Sequence, residues 1–383
     1  MNSTHTPLAL LGQLTPEQFL AEYWQKKPLL IRQAIPHFSG LLDPNELAGL
    51  SCEEEVQSRI IQYKNKKWHV KQGPFDEKDF AKLPDRDWTI LVQSVNHHLP
   101  EATELLAQFN FIPHARLDDL MVSYAPDGGG VGAHFDSYDV FLLQGSGKRN
   151  WKISSQQDFS FDENAPIKVL KDFIVEQEWT LEAGDMLYLP PHIAHHGIAV
   201  GDQCMTYSIG FRAPKTQELI HEFLNHLQDH ITVEGLYSDP DLSLQQHPAE
   251  ISHDMVNKVD QMLKNLMWDQ NLVGDFLGCY LTEPKMHIVF EPVKKIPLEK
   301  FQQKLATQAL HLSLKTQMLF WQQSFYLNGE HLQVPTELID CMQLLADQRY
   351  IEKGSIPTAQ LEPIASLLLP LYLAGYFVLE QDF

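Results

Sequence analysis

Gly128-Gly129-Gly130-Val131-Gly132-Ala133-His134-Phe135-Asp136-Ser137-Tyr138-Asp139 decides how the rest of the chain is read. A glycine-rich approach delivers a histidine and an aspartate two residues apart. If Gly132 to Asp139 is a strand, side chains alternate along it and His134 and Asp136 share a face. One imidazole and one carboxylate on one face are two thirds of a 2-His-1-carboxylate triad. Such a triad leaves positions open on a ferrous ion for a co-substrate and dioxygen. The spacing alone is weak, because 18 histidines supply about one such pair by chance. Its surroundings give it weight.

Upstream, Leu120, Val122 and Tyr124 alternate with Asp119, Met121 and Ser123, which predicts a strand entering a glycine hairpin. Downstream, Tyr138–Gln144 and Lys148–Ile153 read as strands around Gly145-Ser146-Gly147, with Arg149, Trp151 and Ile153 on one face. Trp179–Leu181, Met186–Leu189 and Met205–Phe211 continue the pattern. Short strands between glycine and proline turns predict a double-sheet jelly roll of cupin type. A third ligand follows Pro190-Pro191, where histidines sit in the next turn. His195 is the expected one, with His192 and His196 as alternatives. Adjacent residues on extended chain face opposite ways, so His195 and His196 do not share one ion. The open positions suit a bidentate acid such as 2-oxoglutarate. Its far carboxylate wants a cation and a hydroxyl, which Arg149 and Ser123 supply; Lys148 is the runner-up cation but lies on the other face of its strand.

The flanks organise around this barrel. Thr15-Pro16-Glu17-Gln18 and Asp43-Pro44-Asn45-Glu46 are helix starts with capping-box chemistry. Pro28–Ile31 reads as a short buried strand. Trp88–Val95 reads as either a strand or a buried helix. After Pro214, Thr216 is expected to cap a helix with Leu219, Ile220, Phe223, Leu224 and Leu227 on one stripe. A second helix carries Met255 to Met267, and a third covers Leu272–Leu281. Three amphipathic helices beside a barrel predict a homodimer interface. From Pro284 a strand at Met286–Phe290, a helix at Leu298–Leu310 and a hairpin of Leu312–Trp321 with Ser324–Val334 around Asn328-Gly329 are expected. Helices at Thr336–Ala346 and Leu361–Leu373 then complete a winged-helix-like pattern. The expected domains are therefore 1–213, 214–283 and 284–383.

Composition sets limits. The 383 residues carry 29 Lys+Arg against 50 Asp+Glu, a net charge of -21. Such a chain repels nucleic-acid phosphates and favours basic partners. The winged-helix-like segment has no dense Lys/Arg run, so no direct nucleic-acid binding is expected. Cys52, Cys204, Cys279 and Cys341 are scattered, with no metal or disulfide spacing. Met1–Leu14 has no signal-peptide pattern, and the apolar window Ala365–Leu379 is too short to span a bilayer. A cytoplasmic, reducing location is expected, which suits a ferrous site.

Several stretches together resemble the bacterial JmjC-type ribosomal oxygenases. They are Asp118–Met121, the glycine run with His134-x-Asp136, and Tyr138-Asp139-Val140-Phe141. They continue with Pro190-Pro191-x-x-x-His195, Tyr207-Ser208-x-Gly210-Phe211-Arg212-Ala213-Pro214 and Tyr237-Ser238-Asp239-Pro240. Trp24-Gln25-Lys26-Lys27-Pro28 and Val92–His97 fit as well. The likeness is strong from about residue 15 to 250, and it is nearest to the arginine hydroxylases of large-subunit ribosomal proteins. It implies an α+β chain: a JmjC double-stranded β-helix, a helical dimerisation region and a winged-helix-like C-terminal domain. It implies Fe(II) on His134, Asp136 and His195, 2-oxoglutarate on Ser123 and Arg149, and dioxygen as oxidant. The implied reaction is hydroxylation of an arginine β-carbon. The family's usual glycine after the paired prolines is His192 here, and His196 follows the expected ligand.

An arginine substrate needs a carboxylate and an aromatic wall. Asp119, Tyr138 and Ser208 are the expected substrate contacts, with Asp118 and Asp139 as rival carboxylates. A related oxygenase acting on a histidine or methyl-lysine of another basic protein is the alternative. A non-enzymatic cupin scaffold and a sugar-isomerase cupin are further readings, which the complete triad and the JmjC pattern disfavour.

Overall fold

The computed structural model describes residues 5–380; Met1–Thr4, the start of the stretch read as having no leader, lie outside them. Two short helices open the chain, α1 (Pro16–Glu22) and α2 (Pro44–Leu50), each begun by proline behind a reciprocal capping box. Thr15 Oγ accepts from the Gln18 amide at 3.1 Å while the Gln18 side chain accepts from the Thr15 amide at 2.9 Å. Between them runs β1 (Leu29–Ile31). Then come β2 (Ser58–Lys64), β3 (Lys67–Gln72), α3 (Glu77–Phe80), β4 (Trp88–Val92) and α4 (Pro100–Ala107). The barrel proper follows as β5 (Leu117–Ala125), β6 (Val140–Gln144), β7 (Lys148–Ser154), β8 (Gln177–Leu181), β9 (Met186–Leu189), β10 (Ala194–Val200) and β11 (Cys204–Phe211).

These strands form two sheets. The larger is antiparallel in the order β1-β9-β6-β11-β5-β4-β2-β3, and the smaller is β10-β7-β8. Period two sorts the large sheet's side chains. Ile90, Val92, Leu120, Val122, Phe141, Met205, Tyr207 and Ile209 enter one core with Phe19 of α1, Leu47 of α2 and Leu105 of α4. The alternate positions, among them Leu91, Gln93, Asp119, Ser123, Thr206 and Ser208, line a cavity between the sheets. The helices cover one face, so that face is apolar, and the other stays polar because it faces the cavity.

Three local expectations are corrected. Gly132–Asp139 is not a strand: His134 makes only an isolated antiparallel bridge with His195. The glycine run is not a hairpin either, because β11 lies between β5 and β6 and the chain must cross it. The crossing segment bonds sideways to β10, Gly128 N–H to Ala199 O at 3.0 Å and Ala199 N–H to Gly129 O at 2.9 Å. Glycine is required there, since a Cβ on Gly130 would stand 2.5 Å from the Gly197 carbonyl oxygen. His195 and His196, finally, belong to strand β10 rather than to a turn. Trp88–Val92 resolves as a strand, fully buried within the sheet.

Beyond the barrel stand α5 (Thr216–His230), α6 (His253–Lys264) and α7 (Gln270–Thr282). Thr216 is the first helical residue rather than the cap; extended Lys215 takes that place, with no side-chain cap bond. The expected strand at Met286–Phe290 is absent. That segment is irregular and Met286 is fully exposed, without a sheet partner. The C-terminal domain comprises α8 (Leu298–Thr307), β12 (Leu310–Leu312), β13 (Met318–Trp321), β14 (Ser324–Leu327) and β15 (Glu330–Leu332). It ends with α9 (Ile339–Gln348), β16 (Tyr350–Ile351), α10 (Leu361–Leu373) and β17 (Phe377–Leu379). The expected hairpin is a three-stranded meander, β13-β14-β15. Asn328 and Gly329, at φ 49° and 89°, turn its second corner as a two-residue hairpin loop prefers.

The barrel and the segment after α7 share a polar seam. Lys285 pairs with Asp118 at 3.0 Å, Lys315 with Glu55 at 2.8 Å, and Gln57 bonds His287 at 3.1 Å. His97 lies beside it, its pKa pushed down to about 3, first by burial and then by the charges of His98, Lys285, His287 and Arg349. Because the folded value lies below the ordinary 6.5, the unfolded chain binds this proton more readily. Stability is then whole above pH 6.5 and falls as pH drops toward 3. The expected loss from His97 is on the order of 2 kcal/mol at pH 5. Urea unfolding at pH 7.5 and pH 5 checks it: His97→Gln should narrow the gap between the two, and an unchanged gap would clear His97 of the effect.

Candidate metal centre and its cavity

His134, Asp136 and His195 converge although only one of them lies on a regular strand. Their ligand atoms all fall within 4.8 Å of one another. The paired backbone bonds between His134 and His195, 2.9 and 2.7 Å, bring their rings to 4.2 Å between centroids. Asp136 Oδ2 stands 3.6 Å from His195 Nε2. Each imidazole is oriented from behind: His134 Nδ1 meets the Gly132 carbonyl at 3.0 Å, and His195 Nδ1 meets the Ile193 carbonyl at 2.9 Å. With Nδ1 donating, both Nε2 lone pairs are left for a metal ion. Burial first, and His134 second, hold the His195 pKa down to about 4, so its ring is neutral and ready to ligate at pH 7. The two alternatives lie elsewhere. His192 is exposed with φ 64°, and its ring sits by Phe135. His196 turns to the opposite side of β10, edge-on to Phe173.

The triad opens into a cavity of about 750 Å³. Arg149 reaches into it from β7 and is 4% exposed. Its Nε and Nη2 are buried without a hydrogen-bond partner. A buried guanidinium left unpaired is costly, and a carboxylate is the group that fits its fork. Ser123, 7% exposed, lines the same cavity from β5, its hydroxyl 3.5 Å from the Thr206 carbonyl. Lys148 points outward and pairs with Glu182 at 2.6 Å. The residues present therefore suit a ferrous ion and a dicarboxylate co-substrate.

The carboxylates at the mouth differ in what already holds them. Asp119 lines the cavity, but its Oδ2 accepts from the Ser94 amide at 2.9 Å and the Ser94 hydroxyl at 3.1 Å. Burial, then the charge of Asp118, raises its pKa. Asp118 is shared by Arg212 at 3.5 Å and Lys285 at 3.0 Å. Asp139 is fully buried, bonded to Tyr188 at 2.6 Å and Gln25 at 2.9 Å, and is out of the cavity. Tyr138 stands at the rim, 39% exposed, and its phenol pKa is raised first by burial and then by the charge and hydrogen bond of Asp136. Ser208 faces the cavity from β11.

Sequence reasoning missed part of the wall. Gln57 before β2, Arg59 and Ile61 of β2, Gln72 of β3 and Lys285 beyond α7 all face this space. Alternation of Arg59 and Ile61 with buried Ile60 was the available signal for β2. Nothing local tied Lys285 to the cavity.

The family model for the JmjC domain matches residues 104–219, and that for a ROXA-like winged helix matches residues 265–377. The chain is 36% identical over 277 residues to the ribosomal protein uL16 3-hydroxylase of Escherichia coli, spanning 72% of this chain and 73% of that protein. It is 39% identical over 270 residues to a probable ribosomal oxygenase of Haemophilus influenzae, spanning 67% and 64%. The structure of the E. coli ribosomal oxygenase YcfD in complex with cobalt and 2-oxoglutarate superposes with a TM-score of 0.83 at 30% identity. That match covers 96% of this chain and 98% of the other.

Proposed function

The chain belongs to the JmjC ribosomal oxygenases, and on that premise we propose that it is an Fe(II)- and 2-oxoglutarate-dependent dioxygenase that hydroxylates an arginine β-carbon in uL16 or a closely similar large-subunit ribosomal protein. The observation that carries the cofactor chemistry is the orphaned Arg149 fork sharing one cavity with the triad. The relationship to a named uL16 hydroxylase carries the substrate. When bound, iron and 2-oxoglutarate use dioxygen so that one oxygen enters the substrate C–H bond and the other enters succinate, with loss of carbon dioxide.

The protein's own part is to bind and orient. His134, Asp136 and His195 would hold the ion, the backbone-anchored Nδ1 atoms of the two histidines fixing their tautomers. Arg149 takes the far carboxylate of 2-oxoglutarate and Ser123 adds a hydroxyl. Tyr138 offers a ring face to the incoming guanidinium, with Asp119 and Ser208 as polar contacts. Ser94 holds one Asp119 oxygen, which leaves the other for the guanidinium. The net charge of -21 draws a basic ribosomal protein to the mouth. No helix of the described residues is long and apolar enough to cross a membrane, and the reading places the enzyme beside its substrate in the cytoplasm.

The test is incubation with Fe(II), 2-oxoglutarate, ascorbate and uL16, followed by mass spectrometry. A gain of about 16 Da on arginine, lost in His134→Ala, supports the reading. The same gain on a histidine, or loss of a lysine methyl group, keeps the oxygenase and moves the target.

The reading includes a homodimer through α5 and α6. Ile220, Leu224, Leu263 and Met267 are 50%, 54%, 62% and 80% exposed in the single chain, a stripe too apolar to leave in water. Leu224→Asp combined with Leu263→Asp is expected to halve the sedimenting mass. An unchanged mass would place the interface elsewhere.

A further inference from the structure

Strands β2 and β3 carry the cavity wall beyond the metal centre, and Arg59 on β2 is a polar group there that the proposed chemistry leaves unused. The strand registers put Gln72, Arg59, Leu91, Ser123 and Thr206 in one transverse row across β3, β2, β4, β5 and β11. Arg59 is thus two strands from Ser123, about 10 Å at the usual strand spacing. Alternation turns it into the cavity while Ile60 enters the core. Its Nε is buried with no hydrogen-bond partner. The nearby carboxylates do not serve it, since Asp118 pairs with Arg212 and Lys285, and Asp119 with Ser94. A donor in this state is satisfied only if a ligand brings an acceptor.

That acceptor is not the co-substrate's, for Arg149 already offers a fork on the opposite sheet. What remains is the polypeptide. Gln72 pairs with Arg59 across the sheet and Gln93 lines the same wall, and their amides both donate and accept, as peptide backbone requires. We propose that Arg59 is a specificity-determining residue that takes a carbonyl or carboxylate oxygen of the substrate chain beside the target residue and excludes lysine or arginine from that flanking position. The proposal rests on the ribosomal-protein reading above. It explains how an enzyme with an acidic surface selects one register on a basic substrate: overall charge attracts, and the Arg59 cation inside the cavity rejects misplaced positive side chains.

The experiment uses the full chain, a fluorescent peptide covering the target arginine of uL16, and variants of that peptide with lysine at each flanking position. Arg59→Gln is expected to weaken peptide binding and raise the peptide KM about tenfold, as loss of one charge-assisted bond should. The KM for 2-oxoglutarate and the melting temperature should hold, and Arg59→Lys should recover part of the affinity. One flanking lysine should be rejected by the wild type and tolerated by Arg59→Gln. Unchanged peptide affinity in Arg59→Gln, or a rise in the 2-oxoglutarate KM instead, overturns the assignment while leaving the hydroxylase intact. A wild type that neither binds nor modifies the peptide overturns the substrate reading and this assignment together.

Discussion

His195→Ala is expected to abolish iron retention and turnover together, with activity reduced by more than about a thousandfold. Two ligands cannot hold a ferrous ion against water as three can, and His195 is the most buried of the three. The neighbouring His196→Ala is the matched control, since its ring lies on the other side of β10 against Phe173. Iron per chain by atomic absorption and succinate release should both vanish in the first and persist in the second. Retained iron in His195→Ala, or loss in His196→Ala, would reassign the third ligand. The backbone bridge between residues 134 and 195 survives alanine, so the fold should remain and the loss should be read as chemistry.

Arg149→Met should weaken co-substrate binding while it strengthens the ligand-free fold. Removing a bidentate partner of the far carboxylate costs about 2–4 kcal/mol, so the KM for 2-oxoglutarate rises roughly 30- to 1000-fold. In the ligand-free protein the same substitution removes a buried, unpartnered guanidinium from beside Trp151 and replaces it with an apolar chain. Stability should therefore increase by about 1–3 kcal/mol. Thermal melts with and without 2-oxoglutarate check both at once. Wild type starts lower and is stabilised by the co-substrate; Arg149→Met starts higher and does not respond. A variant that melts lower and still responds to 2-oxoglutarate would show that Arg149 serves the fold instead.

The local elements were legible wherever the signal is short-range. Both capping boxes and the strands Met186–Leu189 and Lys148–Ser154 follow from neighbours a few residues apart. So does the inward row of Asp119, Met121 and Ser123, because alternation along one strand is a property of that strand. The errors occur where a segment's shape is set by what lies beside it. Gly128–Asp139 carries hairpin residues, yet the intervening β11 makes it a crossing loop. Met286–Phe290 has strand composition but finds no edge to pair with.

By itself the sequence supplied the candidates for the chemistry: a histidine and aspartate two apart, histidines after paired prolines, an arginine and a serine on two expected strands. Those are choices of residue type and spacing, and they are fixed covalently. Only the tertiary structure decided that His195 rather than His192 or His196 joins the cluster, since that depends on a backbone pairing across 61 residues, His134 with His195. It alone also decided that Arg149 Nε and Nη2 and Arg59 Nε find no hydrogen-bond partner among the described residues, because that depends on every strand that could have brought them an acceptor.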